Sequence, residues 1–473
     1  MERGSRRADG WIFGGFLALL VWAPIPLGSN RPWAWSILVV GIYALSAAWL
    51  LLFALGWTRF PSVFRRSWGA VSLLGLWTLV TLFQVVPLPI GLVAILSPQS
   101  AELASGLAPA AGGFATLSVD PESTRQFVLR SFGFFLAFCL TLVLVRRRSR
   151  LNALVFTLVG SGLLQAIIGS FLHMRGENFE IFFATYQHAA YSLGTFVNRN
   201  HFAGYLEMTL AIGIGAMIAT LRGGAKRTWR QRIRDWLTWT LSPRVLLRVV
   251  LVIMVIGLVM TRSRMGNSAF FASMLVAGLI GLALSRHATR STVILLVSLV
   301  IIDVFIVGTW FGMEKLVQRL EETTIARAET PTGMSVEERV EPGKYALGIV
   351  REYPWFGSGG GTFYVAFSKF RPPEIVAFFD FAHNDFIQFA AETGLVGLSI
   401  LGLLVLSTLW VALKTQYERS DPLARGVGFG VTMGIVSLMI HSWVDFNLQI
   451  PANALTFTVL LAMGWVAYSV ERQ

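Results

Sequence analysis

Arg262 and Arg264 stand in Thr261-Arg262-Ser263-Arg264-Met265-Gly266-Asn267, a very short link between two long apolar runs. A guanidinium beside a membrane is costly unless it faces a cavity, a headgroup or a partner. Two arginines at such a turn suit an anion held at the membrane surface, because each planar fork meets phosphate oxygens in pairs. Snorkelling of both side chains to the interface is the plainer alternative. A second cluster is Phe381-Ala382-His383-Asn384-Asp385-Phe386, with Glu392-Thr393-Gly394 beyond it. His383 is the side chain there whose ordinary pKa lies near neutrality, so it suits proton acceptance; the plainer alternative is a helix cap. A helix starting near Asn384 or Asp385 carries Glu392 about two turns inside, where a buried carboxylate needs a partner. A third group is Arg339 and then Arg351-Glu352-Tyr353-Pro354-Trp355-Phe356-Gly357-Ser358-Gly359-Gly360-Gly361-Thr362-Phe363. No Gly-Lys-Ser/Thr follows these glycines, which excludes a nucleotide-phosphate loop and leaves a turn whose backbone could approach a sugar or phosphate. The fourth group is Phe196-Val197-Asn198-Arg199-Asn200-His201.

The elements that must position these residues are membrane spans. Of 473 residues 55% are hydrophobic and 14% charged, against roughly 25% charged in a soluble domain. Apolar segments run over about 11–28, 33–57, 69–92, 125–145, 151–172, 201–221, 245–261, 265–285, 291–311, 386–412, 423–443 and 451–470. Each is long enough to cross hydrocarbon as a helix or nearly so. The fold class expected is therefore all-α, a polytopic integral membrane protein of about twelve transmembrane helices. Arginines and lysines recur in alternate connections: Arg3, Arg6 and Arg7; Arg59, Arg65 and Arg66; Arg146 to Arg150; Lys226 to Arg234; Arg286 and Arg290; Lys414 to Arg425. The positive-inside rule puts these loops and both chain ends in the cytoplasm, and the four chemical clusters outside, in the periplasm of a Gram-negative cell. The net charge of +13 is accounted for by this arrangement and does not indicate nucleic acid.

The chain divides into N-terminal spans and a first periplasmic loop (1–124), central spans (125–311), a large periplasmic loop between the ninth and tenth spans (312–385) and C-terminal spans (386–473). Residues 93–124 read as loop, ending at Asp120-Pro121, a cap followed by proline at the first helical position. Residues 222–248, with Trp229, Trp236 and Trp239 among arginines, read as an interfacial helix. The first apolar run lacks a small-x-small cleavage site and reads as a retained span. Cys139 is the single cysteine, so neither an intramolecular disulfide nor a cysteine metal site is available. There is no internal repeat and no paired interruption of spans, features that a solute transporter would need.

Asp-x-Asp, His-Glu-x-x-His and Gly-x-Ser-x-Gly are all absent. An enzyme facing outward cannot count on ATP or nucleotide sugars, so its energy source has to be in the membrane, and a lipid-linked diphosphate fits. The sequence resembles the superfamily of O-antigen ligases and O-antigen polymerases. The likeness runs from about 117 to 455 and rests on Leu117-Ser118-Val119-Asp120-Pro121 with Thr124-Arg125, Asn198-Arg199-Asn200-His201-Phe202-Ala203-Gly204 and Thr261-Arg262-Ser263-Arg264-Met265-Gly266. It continues through Arg339, Pro354 to Gly359 with Gly361-Thr362-Phe363, His383-Asn384-Asp385 with Glu392-Thr393-Gly394, and His441-Ser442 with Asp445-Phe446-Asn447. Met265 stands where the family often has glycine, and Gly360 where it has a large residue. The resemblance implies metal-independent, cofactor-free glycosyl transfer at the periplasmic face of the bacterial inner membrane. The donor it implies is an undecaprenyl diphosphate-linked glycan; the acceptor is lipid A-core for a ligase and a lipid-linked glycan for a polymerase. By the same likeness His383, Arg262 and Arg264 are catalytic, and Arg339, Arg199, Arg351, Asn384 and Asn200 bind diphosphate or sugar. Asp445-Phe446-Asn447-Leu448-Gln449-Ile450-Pro451 is similar to proteins of exopolysaccharide clusters and leans toward a polymerase. A membrane transporter of inorganic carbon and a non-catalytic scaffold of polysaccharide export are the competing readings.

Overall fold

In hydrocarbon every backbone amide must be satisfied within its own segment, so long apolar runs fold as helices. The computed structural model of the chain describes residues 2–107, 113–176, 178–181, 184–186, 191–220, 243–284, 297, 336–373 and 379–470. Its helices are α1 (Glu2–Trp22), α2 (Pro32–Ala54), α3 (Ser62–Arg66), α4 (Trp68–Phe83), α5 (Ile90–Leu96), α6 (Pro98–Leu107), α7 (Pro121–Leu144), α8 (Arg148–Arg175) and α9 (Arg199–Thr220). They continue with α10 (Pro243–Met260), α11 (Arg264–Leu284), α12 (Val336–Glu352), α13 (Phe363–Phe367), α14 (Asp385–Glu418), α15 (Pro422–His441) and α16 (Pro451–Ser469). Among the described residues eight are long and apolar enough to cross a membrane: α2, α7, α8, α9, α11, α14, α15 and α16. The fold is all-α but for two short antiparallel pairings, Leu88–Pro89 with Phe114–Ala115 and Phe179–Ile181 with Ala184–Tyr186.

Every span expected from the sequence has a helix at its place except the ninth, 291–311, which lies outside the described residues apart from position 297. The connection 221–242 and the loop portions 312–335 and 374–378 lie outside them too. The third span is shorter than expected. The helix stops at Phe83 because Pro87 and Pro89 lack an amide proton and crowd the preceding turn. The stretch 93–124, expected as loop, holds α6 and most of α5. Asp120 caps α7 as expected, accepting from Glu122 N and Ser123 N, with Pro121 at the first helical position.

Helix α9 is the axis of the bundle, buried at every position from Asn200 to Met217. It packs on α15 through small residues that let backbones meet, the usual device where lipid removes the hydrophobic drive between helices. A Cβ on Gly215 would lie 2.2 Å from Gly426 O, and one on Gly430 2.8 Å from Ala211 O. At one end of the bundle Asp9 pairs with Arg146 and Arg150, Arg148 pairs with Asp421 at 3.1 Å, and Arg419 donates to Val470 O. Among the described residues the basic connections at Arg146–Arg150 and at Arg419 thus share one end; those at Lys226–Arg234 and at Arg286 and Arg290 lie outside the described residues.

At the other end, α14 is broken. Gly394 has φ 67° and ψ −179°, a backbone that only glycine adopts freely. The loop 354–359 bonds into the gap: Ser358 N to Ala391 O (2.9 Å), Gly359 N to Glu392 O (3.1 Å), Leu395 N to Pro354 O (2.8 Å) and Val396 N to Trp355 O (3.2 Å). Gln84, at the end of α4, clamps this junction, donating to Phe356 O and Glu392 O and accepting from Gly360 N. The described part of the large loop contains short helices, as expected, and packs on α14 through Ala346, Ile349, Tyr353, Phe363, Phe367 and Ala391.

Candidate active site

The site grows from the start of α14. Asn384 is the cap, its Oδ1 accepting from Ile387 N at 3.0 Å and its Nδ2 donating to Trp443 O at 2.9 Å. His383 is therefore not the capping residue. It stands one place before the cap with φ +50°, a left-handed conformation uncommon for a side-chain-bearing residue though more accessible to histidine. Its ring is edge-on to Phe446 (centroids 4.8 Å apart, 79° between planes) and to Phe379 (5.8 Å, 88°). Asp385 fastens the segment to the neighbouring α15–α16 loop, accepting from Ser442 Oγ (2.8 Å), Leu448 N (3.1 Å) and Gln449 Nε2 (3.3 Å).

Phe446 also meets His201 edge-on at 4.6 Å and stacks on Phe381 at 4.5 Å. Beside it, buried Asp445 accepts from Asn200 Nδ2 and from Phe446 N (2.8 Å), and pairs with His201 Nε2 at 3.4 Å. Burial alone would push its carboxyl up. The hydrogen bond and charge of His201, with the charges of His441 and His383, outweigh this and hold Asp445 well below the usual carboxylate range.

Asn200 carries the cluster on to the arginine turn, accepting from Ser263 Oγ at 2.8 Å. Ser263 lies between the two arginines, and its Oγ also accepts from Gly266 N at 3.2 Å in the first turn of α11. Arg262, like His383, has φ +50°. Arg262 and Arg264 are both exposed. Beneath the turn, fully buried Glu207 accepts from His441 Nδ1 and Ser437 Oγ, both at 2.8 Å. A Cβ on Gly266 would come within 2.6 Å of Ala203 Cβ and 3.0 Å of Glu207 Oε1, so glycine there is a packing requirement.

Glu392 is partnered on one oxygen: Oε1 accepts two hydrogen bonds, while Oε2 is buried with none among the described residues. Phe363 N donates at 3.2 Å and Gln388 Nε2 at 2.8 Å. The glycine run does not present an open backbone cradle as the sequence allowed. A Cβ on Gly359 would meet Ser118 Oγ at 2.4 Å, one on Gly360 Phe127 Cδ1 at 2.3 Å, and one on Gly357 Glu392 O at 2.3 Å. The run is packed inside the protein because it fills the break in α14.

The structure thus joins His383, Asn384, Asn200 and the Arg262–Arg264 turn through Asp445 and Phe446. Arg199, at the start of α9, is half-buried with its guanidinium 4.4 Å from the centre of the Tyr191 ring. Arg351 is exposed on the last turn of α12, with no hydrogen bond or ion pair among the described residues. The side chain of Arg339 lies outside the described residues. Sequence reasoning passed over Glu207, Gln84 and Arg130. Glu207 and Arg130 are ionisable residues inside apolar runs, a signal that by default marks function. Transporters need paired broken helices; the break at Gly394 is the one such interruption in a spanning helix among those described, and the chain's own loop fills it.

No curated protein matches the chain. Residues 249–402, from α10 through the arginine turn, the large loop, His383 and the break in α14, match the family described as O-antigen ligase. The chain therefore carries an O-antigen ligase domain, in keeping with the superfamily its motifs resemble.

Proposed function

We propose that this protein transfers a glycan from undecaprenyl diphosphate to a hydroxyl of an acceptor sugar, without a metal, at the periplasmic face of the bacterial inner membrane, in O-antigen or exopolysaccharide assembly. The acceptor oxygen attacks the anomeric carbon and gives its proton to His383. The bond from that carbon to the diphosphate breaks, and the electron pair leaves with the phosphate oxygen. Charge gathers on the diphosphate as it leaves, and guanidinium groups placed there beforehand stabilise it. Arg262 and Arg264 take that role, with Arg339, Arg199 and Arg351 as further diphosphate or sugar ligands. Asn200 and Asn384, whose amides are committed to Ser263, Asp445, Ile387 and Trp443, hold the two halves in register.

The observation that carries this reading is the tie made by Asp445. One buried carboxylate links the histidine segment, through Phe446, to the arginine turn, through Asn200 and Ser263. A base and a diphosphate site must be held in fixed relation for an in-line displacement. The test is transfer in vitro with purified protein, a lipid-linked donor and alternative acceptors. His383→Asn and His383→Ala both lose transfer while protein level and donor remain normal. Full activity in His383→Asn would remove His383 as the base.

A further inference from the structure

A groove of about 650 Å³ opens between α4, α7, α14, α15 and α16, within the range of roughly 300–1,000 Å³ typical of ligand sites. Its walls are hydrocarbon and aromatic, among them Trp77, Phe127, Phe389, Leu401, Leu409 and Phe457. One end is formed by Asp385, Ser442 and Gln449, the group that fastens the start of α14.

One cation faces this groove. Arg130 is nine residues past Pro121 on α7, about 14 Å along the helix. Its Nε is buried with no hydrogen-bond partner, and its guanidinium makes no hydrogen bond or ion pair among the described residues. Its near neighbours are the rings of Trp35 at 5.5 Å and Phe127 at 6.0 Å. The charge of Glu392 reaches it, but the two form no ion pair: Glu392 Oε1 is held by Phe363 N and Gln388, and its Oε2 is buried without a hydrogen bond among the described residues. A guanidinium inside an apolar span with its buried Nε unmet has room for an anion, and its fork suits phosphate.

The groove is separate from the arginine turn. Helix α15 gives Ile435, Val436, Met439 and Ile440 to the groove. From its other face it gives Ser437 and His441 to Glu207, which lies under Gly266. No residue of α9, α10 or α11 lines the groove. His383 stands at the join, two residues before Asp385, which lines the groove, and against Phe446 on the other side.

We infer that the groove between α4, α7, α14, α15 and α16 binds a single-chain lipid phosphate, its hydrocarbon along the apolar walls and its phosphate on Arg130. Resting on the function proposed above, with the donor diphosphate at the arginine turn, this lipid is the acceptor's carrier. The two lipids then approach His383 from opposite faces of α15, and the acceptor is a lipid-linked glycan.

The test is photolabelling of the full chain in lipid nanodiscs with a diazirine-bearing polyprenyl phosphate and the corresponding alcohol. Adducts of the phosphate map to α7, α14 and α16. Loss of one charge-assisted contact makes the alcohol label about tenfold less, and Arg130→Gln lowers phosphate labelling by about the same factor while leaving the alcohol unchanged. Gly402 lines the groove, and a Cβ there meets nothing within 4 Å. Gly402→Trp therefore fills the groove without a backbone clash and lowers labelling by both probes, whether or not Arg130→Gln folds. Arg262→Gln leaves groove labelling unchanged. Adducts at the arginine turn or spread over the outer surface, or equal labelling by phosphate and alcohol, would overturn the inference. Labelling in the groove by a protein that transfers no glycan would sink the proposed function and leave the groove standing.

Discussion

Gly394→Ala tests the junction on which the site is built. With φ 67° and ψ −179°, an alanine is strained by roughly 1–3 kcal/mol. Its Cβ would also stand 2.2 Å from Trp355 O, 2.3 Å from Trp355 C and 2.6 Å from Gly357 N. These are backbone atoms that cannot swing aside, so the loop must withdraw. Withdrawal breaks the bonds of Ser358 N, Gly359 N, Leu395 N and Val396 N across the break, each contributing roughly 1 kcal/mol. If half of them are lost, the total is about 3–5 kcal/mol. The control is Gly402→Ala on the same helix, where a Cβ meets nothing within 4 Å and alanine stabilises a helix by up to about 1 kcal/mol. Thermal unfolding of both variants in detergent, followed by loss of monodisperse protein, gives a midpoint several degrees lower for Gly394→Ala and unchanged or higher for Gly402→Ala. Equal midpoints would refute the reasoning that the break is held by backbone contact.

Arg262→Lys and Arg264→Lys keep the charge and lose the fork. Transfer from a lipid-linked donor falls about tenfold or more in each, with normal protein level because both side chains are exposed. Asp445→Asn removes an ionised group whose folded pKa lies below its unfolded value. The stability it contributes is fully present above the unfolded pKa of about 4 and is lost as pH falls through the folded pKa, so the deficit of the variant against wild type is largest near neutrality and narrows below about pH 4. Thermal midpoints across that range measure it; a deficit that grows in acid contradicts the sign. In a Cys139→Ser background, Trp355→Cys places a thiol at a position 60% exposed and reacts with an impermeant maleimide from the periplasmic side. Labelling only after the inner membrane is opened reverses the topology.

Much of the architecture is legible because a span announces itself in one dimension. The runs that became α2, α7, α8, α9, α14, α15 and α16 need nothing but length and apolarity. The Asp120-Pro121 start of α7 is equally local. What escapes is what depends on a partner distant in sequence. Gly394 looks like a tolerable glycine within an apolar helix, and only the Trp355 carbonyl shows why nothing else fits there. The glycines of 357–361 look like a ligand loop until Ser118, Phe127 and Glu392 are seen against them. Asn200 and Asp445, 245 residues apart, cannot be paired from spacing at all. Glu207 and Arg130 were within reach, since a charge inside an apolar run is visible without a structure.

Arg262 and His383, the two groups the proposed transfer would use, are placed by the same local device. Arg262 stands two residues before α11 and His383 two residues before α14, and both are left-handed at φ +50°. Such a residue turns the chain sharply, so that the helix enters the membrane while the side chain before it stays with the loops. It also leaves the first amides of the helix at the same face. Helices α9, α11 and α14 all begin there, and the partial positive charge at their N-termini favours anions within about a turn. Asp445, bonded to Asn200 in the first turn of α9, sits in that field, in line with its low pKa. A diphosphate arriving at Arg262 and Arg264 would enter the same field. The arginines would then neutralise a charge the backbone already favours, so loss of one guanidinium weakens the site without emptying it.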